Sequence, residues 1–170
     1  IDTLLDISKL ESGTIELTHE MYSMEEILYE IANMVYMRID EKDLDYKVEI
    51  GPQFPRAFYG DRMRVKEIFQ NLLGNAIKYT ECGNITLMLD GEKEGGRFRI
   101  QLTVKDTGIG MSENDREDIF KRFMRCKNPK MNSVFGAGLG LNITMQLVKL
   151  MEGDIQVQSR QGEGTTFMAS

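Results

Sequence analysis

Four short segments of the chain carry residues whose types and spacing could do chemistry. The first is NLLGNAIKYT, in which Asn71 and Asn75 are four residues apart and Lys78 and Tyr79 follow three and four residues later. On a helix, this spacing places all four side chains near one face. Asparagine carbonyls are hard oxygen ligands and lysine is a compact positive charge, so the face suits magnesium and phosphate. Taken alone, the two asparagines are better explained by capping or bridging of backbone groups in a core.

The second segment is DTGIG, which begins at Asp106 directly after a stretch with strand-like alternation. Gly108 and Gly110 let the backbone bend sharply or approach a ligand closely. The Asp106 carboxylate could accept hydrogen bonds from an amino group, such as the exocyclic amine of adenine. Alone, this segment also fits an ordinary turn.

The third and fourth segments are GAGLGL, at residues 136–141, and QGEGTTF, at residues 161–167. GAGLGL opens a predicted helix, and the free amides of a helix N-terminus bind anions. It differs from the dinucleotide pattern GxGxxG because Leu141 stands where the third glycine is needed, and the chain has no GxxxxGK[ST]. QGEGTTF adds two glycines before a predicted strand, and a tight hairpin turn would explain them equally well.

The hydrophobic pattern predicts the elements that must position these segments. Helices are expected over residues 1–12, 23–41, 61–83, 113–123 and 138–151. Strands are expected over residues 14–18, 46–50, 85–89, 98–104, 155–158 and 165–168, with a hairpin across GEKEGG. Ser23 and Glu26 have the spacing of a capping box. The order predicts an α+β fold, a two-layer sandwich with a mixed, mostly antiparallel sheet and helices on one face.

Composition narrows the function classes. A chain of 170 residues with 41% hydrophobic and 28% charged residues is typical of a soluble globular domain with one core. A formal charge of −6 argues against nucleic-acid binding by this domain. Cys82 and Cys126 have no partner at metal-ligand spacing, which fits free thiols in a reducing cytoplasm. Because Ile1 lies inside an amphipathic pattern, we expect a piece of a longer protein.

The order of the motifs is more specific than any one of them. NLLGNAIKYT, DTGIG, IFKRF, GAGLGL and GEGTTF closely resemble the N, G1, F, G2 and G3 boxes of the sensor histidine kinases of bacterial two-component systems. LLDISKLESGTIEL resembles the end of the second dimerisation helix and its link to the catalytic domain. The resemblance therefore divides the chain into residues 1–13, from the dimerisation helix, and residues 14–170, the catalytic domain. It implies the Bergerat-type (GHKL) ATP-binding fold.

The resemblance also implies a role for individual residues. Asn75 would hold Mg²⁺ and Asn71 would assist with the metal and phosphates, while Lys78 would meet phosphate oxygens. Tyr79 would pack near the adenine, and Asp106 would bind its amino group. The remaining expected ATP contacts are Gly108, Ile109, Gly110 and Met111 around the base, Gly136, Gly138, Leu139, Gly140 and Leu141 at the phosphates, and Thr166 at the pocket floor.

Two further features of the family carry over as expectations. The loop over residues 126–137 would be a mobile lid whose near end is anchored by Phe120 and Phe123, and Arg122 would contact the γ-phosphate.

Hydrolytic members of the superfamily have a glutamate four residues before the magnesium asparagine, where this chain has Asn71. An amide cannot take a proton at neutral pH, so transfer to an external nucleophile is favoured over hydrolysis. Glu67 lies a further turn back along the helix.

The resemblance implies a protein-histidine kinase that donates the γ-phosphoryl group of ATP. The only histidine, His19, lies outside the acceptor motif, so this piece should bind ATP and Mg²⁺ without phosphorylating itself. The expected partners are its own dimerisation domain and a response-regulator receiver domain. The parent is expected to be a homodimer whose catalytic domain is cytoplasmic, anchored in the bacterial inner membrane. An ATPase of the same fold and a nucleotide-sensing module remain as alternatives.

Overall fold

The computed structural model describes residues 15–40, 42–121 and 139–170. Several predictions concern residues outside these ranges. They are the helix over residues 1–12, the lid over residues 126–137, and the roles of Arg122, Phe123, Gly136 and Gly138.

The described residues form seven strands and four helices. In chain order they are β1 (Glu20–Ser23), α1 (Met24–Ile39), β2 (Asp43–Ile50), β3 (Ala57–Gly60), α2 (Arg62–Tyr79), β4 (Cys82–Glu94), β5 (Arg97–Asp106), α3 (Glu113–Asp118), α4 (Gly140–Leu150), β6 (Ile155–Arg160) and β7 (Gly164–Ala169). Five strands form one sheet in the order β2-β4-β5-β7-β6, and β1 pairs with β3 in a separate sheet. In the larger sheet only β2 and β4 are parallel, and the other pairs are antiparallel.

One face of the five-stranded sheet is apolar and is covered by helices. Along β5, Leu102 and Val104 are buried, whereas Thr103 between them is partly exposed and Gln101 and Lys105 on either side are exposed. This is the period of two that a sheet with one covered face requires. Helices α1, α2 and α4 contribute the other half of the core. The predicted α+β sandwich with helices on one face is therefore confirmed.

Helix α2 is held firmly at both ends. At its start the side chain of Asp61 accepts hydrogen bonds from the amides of Arg64 and Thr18, each at 3.0 Å. Burial alone would raise the pKa of Asp61, but these bonds bring it below its ordinary value. At its end the Lys42 ammonium donates to the carbonyl oxygens of Ile77, at 2.8 Å, and Thr80, at 3.1 Å. A cation here satisfies carbonyls that lack helical partners and complements the helix dipole.

The structure corrects several predicted boundaries. Residues 15–19 form no strand, and β1 begins at Glu20. Ser23 precedes α1 but its side chain makes no capping bond, and the first helical amide, that of Met24, donates to the carbonyl of Arg56 at 3.0 Å. Helix α2 ends at Tyr79 and not near Gly83, which belongs to β4. Strand β3 was not predicted, and the β4–β5 hairpin is longer than predicted.

Among the described residues, no helix combines the length and apolar character needed to cross a membrane.

Candidate functional site

A buried carboxylate lies where the apolar row of β5 ends. Asp106 follows Leu102 and Val104 on the covered face of the sheet, and only 5% of it is exposed. Its Oδ1 accepts hydrogen bonds from the amides of Gly108, at 2.9 Å, and Thr165, at 3.2 Å. Burial raises the pKa of Asp106 above its ordinary value, and these hydrogen bonds act against the rise. A carboxylate has about four acceptor positions, so Asp106 can still receive an amino group.

The turn after Asp106 packs directly against the end of α2. The amide of Ile109 donates to the carbonyl of Tyr79 at 3.1 Å. A Cβ atom on Gly108 would lie 2.3 Å from that same carbonyl oxygen, so no larger residue fits. Gly110 has a φ of 59°, and a Cβ there would lie 2.0 Å from the carbonyl oxygen of Arg160. Both glycines of DTGIG are therefore required by close backbone approach.

The same turn is fastened to the β6–β7 hairpin. The amide of Gly162 donates to the carbonyl of Ile109 at 2.8 Å, and the amide of Met111 donates to Ser159 Oγ at 2.9 Å. Ser159 Oγ in turn donates to the carbonyl of Gly164 at 2.9 Å. Motifs more than fifty residues apart thus form one rigid corner, with Met111 buried in it.

Thr165, and not Thr166, lies beside Asp106. In the register of β5 and β7, Thr165 pairs with Asp106, whereas Thr166 pairs with the exposed Lys105. Directly paired residues share a face of the sheet, so Thr166 lies on the face opposite Asp106. The expectation that Thr166 forms the pocket floor is corrected accordingly. Alternation with the apolar Phe167 is a signal in the sequence that could have indicated Thr165.

Helix α2 supplies a second wall of the corner. The Asn71 amide nitrogen lies 3.4 Å from the carbonyl oxygen of Gly140, so NLLGNAIKYT and GAGLGL meet. Asn75 is one turn further, a rise of about 6 Å toward the turn that follows Asp106. At the end of the helix, the Lys78 ammonium lies 4.9 Å from the ring centroid of Tyr79. The side chains of these four helix residues are all partly exposed.

The start of α4 borders the same space. Leu139, the residue before the helix, is 5% exposed, whereas Gly140 and Leu141 are only partly buried. Asn142 donates to the carbonyl of Phe120 at 2.9 Å. The Phe120 ring packs edge-on against Phe167, with centroids 6.4 Å apart. The first amides of a helix have no helical partner, so this end can receive an anion.

A further residue of the corner was missed by sequence reasoning. Thr80, the residue after α2, is fully buried, and its hydroxyl lies close enough to Asp106 to act against the rise in the pKa of that carboxyl. A Cβ on Gly108 would lie 2.7 Å from the Thr80 hydroxyl oxygen and 2.9 Å from Asp106 Oδ1. Thr80 and Asp106 therefore pack closely around Gly108 at this corner.

Comparison with known proteins identifies the family. The model of the histidine kinase-, DNA gyrase B- and HSP90-like ATPases matches residues 60–170, which include the five motifs from NLLGNAIKYT to GEGTTF. The chain belongs to this family. Among the curated relatives of this ATPase domain, the peroxide stress-activated histidine kinase mak2 of Schizosaccharomyces pombe is 35% identical over 98% of the chain. The signal transduction histidine-protein kinase BarA of Escherichia coli is 34% identical over 98% of the chain.

The fold of the ATPase domain is also found in solved kinases. Full-length ShkA, crystallised in complex with AMPPNP, matches 99% of the chain with a TM-score of 0.83 and 30% identity. The match covers 34% of the ShkA chain. The chain spans only 8% of mak2 and 18% of BarA. Family membership supports ATP binding by this domain, and the longer proteins contain much that this chain does not.

Proposed function

We propose that this domain binds ATP with Mg²⁺ and donates the γ-phosphoryl group to a histidine on a dimerisation domain of the same protein. The observation that carries the proposal is Asp106, a carboxylate at the end of an apolar strand row, buried and braced by two backbone amides. Such a group provides a fixed acceptor for the adenine amine. The phosphates would then extend toward Asn75, Asn71 and the start of α4.

Asn75 is proposed as the protein ligand of Mg²⁺. Magnesium bound with a nucleotide usually takes one or two protein oxygens, and phosphates and water complete its shell. Asn75 lies one helical turn from both Asn71 and Tyr79, between the Gly140 contact and the turn beside Asp106. Lys78, on the same face, would offset phosphate charge. When bound, the magnesium ion would neutralise charge on the phosphate oxygens.

The side chains near Asn75 favour transfer to another group over hydrolysis. Asn71 is an amide and cannot act as a general base at neutral pH. Glu67 forms an ion pair with Arg64 at 2.8 Å, and it lies two turns before Asn75, about 12 Å along the helix. The domain would therefore position ATP for attack by a nucleophile from another domain. Positioning of the reacting groups is the main requirement of phosphoryl transfer.

The acceptor is proposed to lie outside this chain. The exposed His19 precedes β1, and its ring lies 5.9 Å from that of Tyr59 in β3, so it belongs to the surface of the small sheet. Residues 1–13 would be the end of the dimerisation helix, and a receiver domain would take the phosphoryl group in the next step. We further propose a homodimeric parent anchored in a membrane, with this domain in the cytoplasm.

The test is transfer in trans. The chain is mixed with a separately produced acceptor-helix domain of its parent and with ATP labelled at the γ-phosphate. The acceptor should gain label that is labile in acid and stable in base, as a phosphohistidine is. The His19→Ala variant is the matched control and should label the acceptor equally well.

Two results would contradict the proposed function. Labelling that is lost with His19→Ala would make His19 part of the transfer path. Sustained phosphate release by the chain alone, abolished by Asn71→Ala or Glu67→Gln, would instead identify a hydrolase of the same fold.

A further inference from the structure

Strand β2 forms one edge of the five-stranded sheet. It pairs with β4 on one side, and no strand among the described residues pairs with its other side. Its second half, from Lys47 to Ile50, is exposed at every residue. The outward N–H and C=O groups of an edge strand can pair with a strand of another chain, and proteins often keep such edges short for this reason. With eight residues, β2 is long enough to accept a further strand.

The apolar face of the sheet continues along β2 beyond its helical cover. Leu87 and Leu89 of β4 are 0% and 1% exposed. Val48 and Ile50 lie directly beside them in the parallel register, yet they are 39% and 51% exposed. Tyr46, two residues earlier on the same face, is partly buried. The apolar face therefore ends at β2 in a strip formed by Tyr46, Val48 and Ile50, of which the last two residues are uncovered.

The opposite face of the same segment carries two charges of opposite sign. Lys47 and Glu49 alternate with the apolar strip, and their side chains form an ion pair at 2.7 Å. Since 69% and 46% of these two side chains are exposed, the pair contributes little to the fold, and both charges can exchange partners. Strand β2 thus presents apolar groups on one face and balanced charges on the other.

We propose that β2 pairs antiparallel with β2 of a second copy of this chain, with Val48 of each copy on the two-fold axis. In this register Tyr46 lies opposite Ile50 of the second copy, so apolar residues meet apolar residues along the strip. On the other face, Lys47 lies opposite Glu49 of the second copy, and the two-fold axis repeats this attractive pair. The two five-stranded sheets would join into one continuous sheet.

The charges of β2 select this register over its neighbours. A shift of one residue would bring side chains from opposite faces together. A shift of two residues keeps the faces, but it places Lys47 opposite Lys47 or Glu49 opposite Glu49 on the axis. A shift of four residues toward the start of the strand brings Glu49 opposite Asp43. Like charges that are directly opposite are destabilising, so pairing centred on Val48 is favoured.

This contact involves only the sheet edge and does not rest on the proposed function. A strand pair of this length buries a small area, so we expect the separate chain to associate weakly. In a homodimeric parent, two such domains would be held close together, and the high effective concentration would favour the same contact.

The test is charge reversal in trans, measured by sedimentation velocity at rising protein concentration. Low salt is used because exposed charges are screened by ions. The unchanged chain, of 19.5 kDa, should shift toward twice that mass. Lys47→Glu and Glu49→Lys should each weaken self-association about tenfold, because each places like charges opposite one another. An equal mixture of the two variants should restore association, since one copy then supplies two negative charges and the other supplies two positive charges.

The matched control is Lys105→Glu, which makes the same change of charge at an exposed lysine of β5. Because β5 lies inside the sheet, this variant should associate as the unchanged chain does. Three results would overturn the inference: an unchanged chain that stays monomeric up to its solubility limit, a dimer that is insensitive to Lys47→Glu, and a mixture of the two variants that stays monomeric. Dimers formed through residues 1–13 would give the second of these results.

Discussion

The two ends of α2 face opposite environments in the same layer. Its N-terminal half, with Val65, Ile68 and Phe69, lines a cavity of about 410 Å³ against the start of β5 and the end of α4. Its C-terminal half, with Asn71 and Asn75, faces the corner at the end of β5 and the start of α4. Both regions share α2, β5 and α4, and they differ in the side chains that these elements present.

Strand β5 shows the same contrast along a single row. On the covered face the row begins with Phe98 and Ile100 at the cavity and ends with Asp106 at the corner. Apolar contacts at one end favour the folded state, whereas burial of the Asp106 carboxylate at the other end opposes it. Local departures from good packing are expected where a protein binds ligands. The apolar end should therefore control stability and the polar end should control nucleotide affinity.

The largest expected effect is on stability, from Phe69→Ala. Phe69 is 1% exposed and lines the cavity, so truncation should lower the free energy of unfolding by about 3–5 kcal/mol. Urea denaturation followed by circular dichroism measures the loss. Phe69→Leu is the milder partner and should cost about 1 kcal/mol. Titration of the folded Phe69→Leu protein with ADP should give unchanged affinity, and a clear decrease would show that the two ends are coupled.

The reverse pattern is expected for Asp106→Asn. Replacing the carboxylate removes one charged hydrogen bond to the nucleobase, so ATP binding should weaken about tenfold to a hundredfold. Calorimetric titration measures the affinity, and Asp45→Asn, an exposed aspartate of β2, is the matched control. Equal affinity in the Asp106 and Asp45 variants would remove Asp106 from the adenine site.

Much of the fold could be predicted because its helices and strands follow from the local period of hydrophobic residues in the sequence. The helical stripe from Val65 to Ile77 and the alternation of Ile85–Leu89 each indicate which face is covered, and both were placed correctly. Strand β3 could not be found in this way. It has four residues, and its pairing with β1 depends on the docking of two distant segments.

The site was predicted in part for the same reason. The segments around Asn71, Asp106 and Gly140 were expected to meet, and the structure brings them together, although their roles toward ATP stay predictions. The roles of Thr80 and Lys42 depend on contacts between chain segments, with Thr80 beside Gly108 and Lys42 at the end of α2. Sequence spacing does not contain such information, so tertiary structure was needed to find them.

A third prediction distinguishes residues that contact the base from residues that bind the metal at the corner beside Asp106. Asn75→Ala should weaken ATP binding about tenfold when Mg²⁺ is present, the scale seen when groups that support a metal site are removed. With a chelator in place of Mg²⁺ the loss should be within about twofold, because the adenine contacts are unchanged. Asn33→Ala, an exposed asparagine of α1, is the control and should change neither value. Equal losses with and without Mg²⁺ would argue against a metal role for Asn75.

The smallest expected effect comes from Glu30→Gln, far from the corner. The Glu30 carboxylate accepts hydrogen bonds from Lys66 and Arg62, each at 2.5 Å, and these lower its pKa below the ordinary value of 4.5. Since 38% of the side chain is exposed, solvent screens the pairs and the loss at neutral pH should be about 0.5–1 kcal/mol.

The pH dependence of stability has opposite signs at Glu30 and Asp106. Because the pKa of Glu30 is lower in the folded state, its ionised carboxylate stabilises the fold at pH values above its ordinary pKa of 4.5. This contribution disappears as pH falls through the folded-state pKa. The gap in unfolding free energy between the unchanged chain and Glu30→Gln should therefore close in acid. Asp106 has a raised pKa, so its contribution is fully present in acid and is lost as pH rises through the folded-state pKa. Urea denaturation at neutral and acid pH measures both trends. As pH rises, Asp106→Asn should gain stability relative to the unchanged chain, whereas Glu30→Gln should lose stability. Parallel trends in the two variants would contradict burial as the dominant influence on the pKa of Asp106.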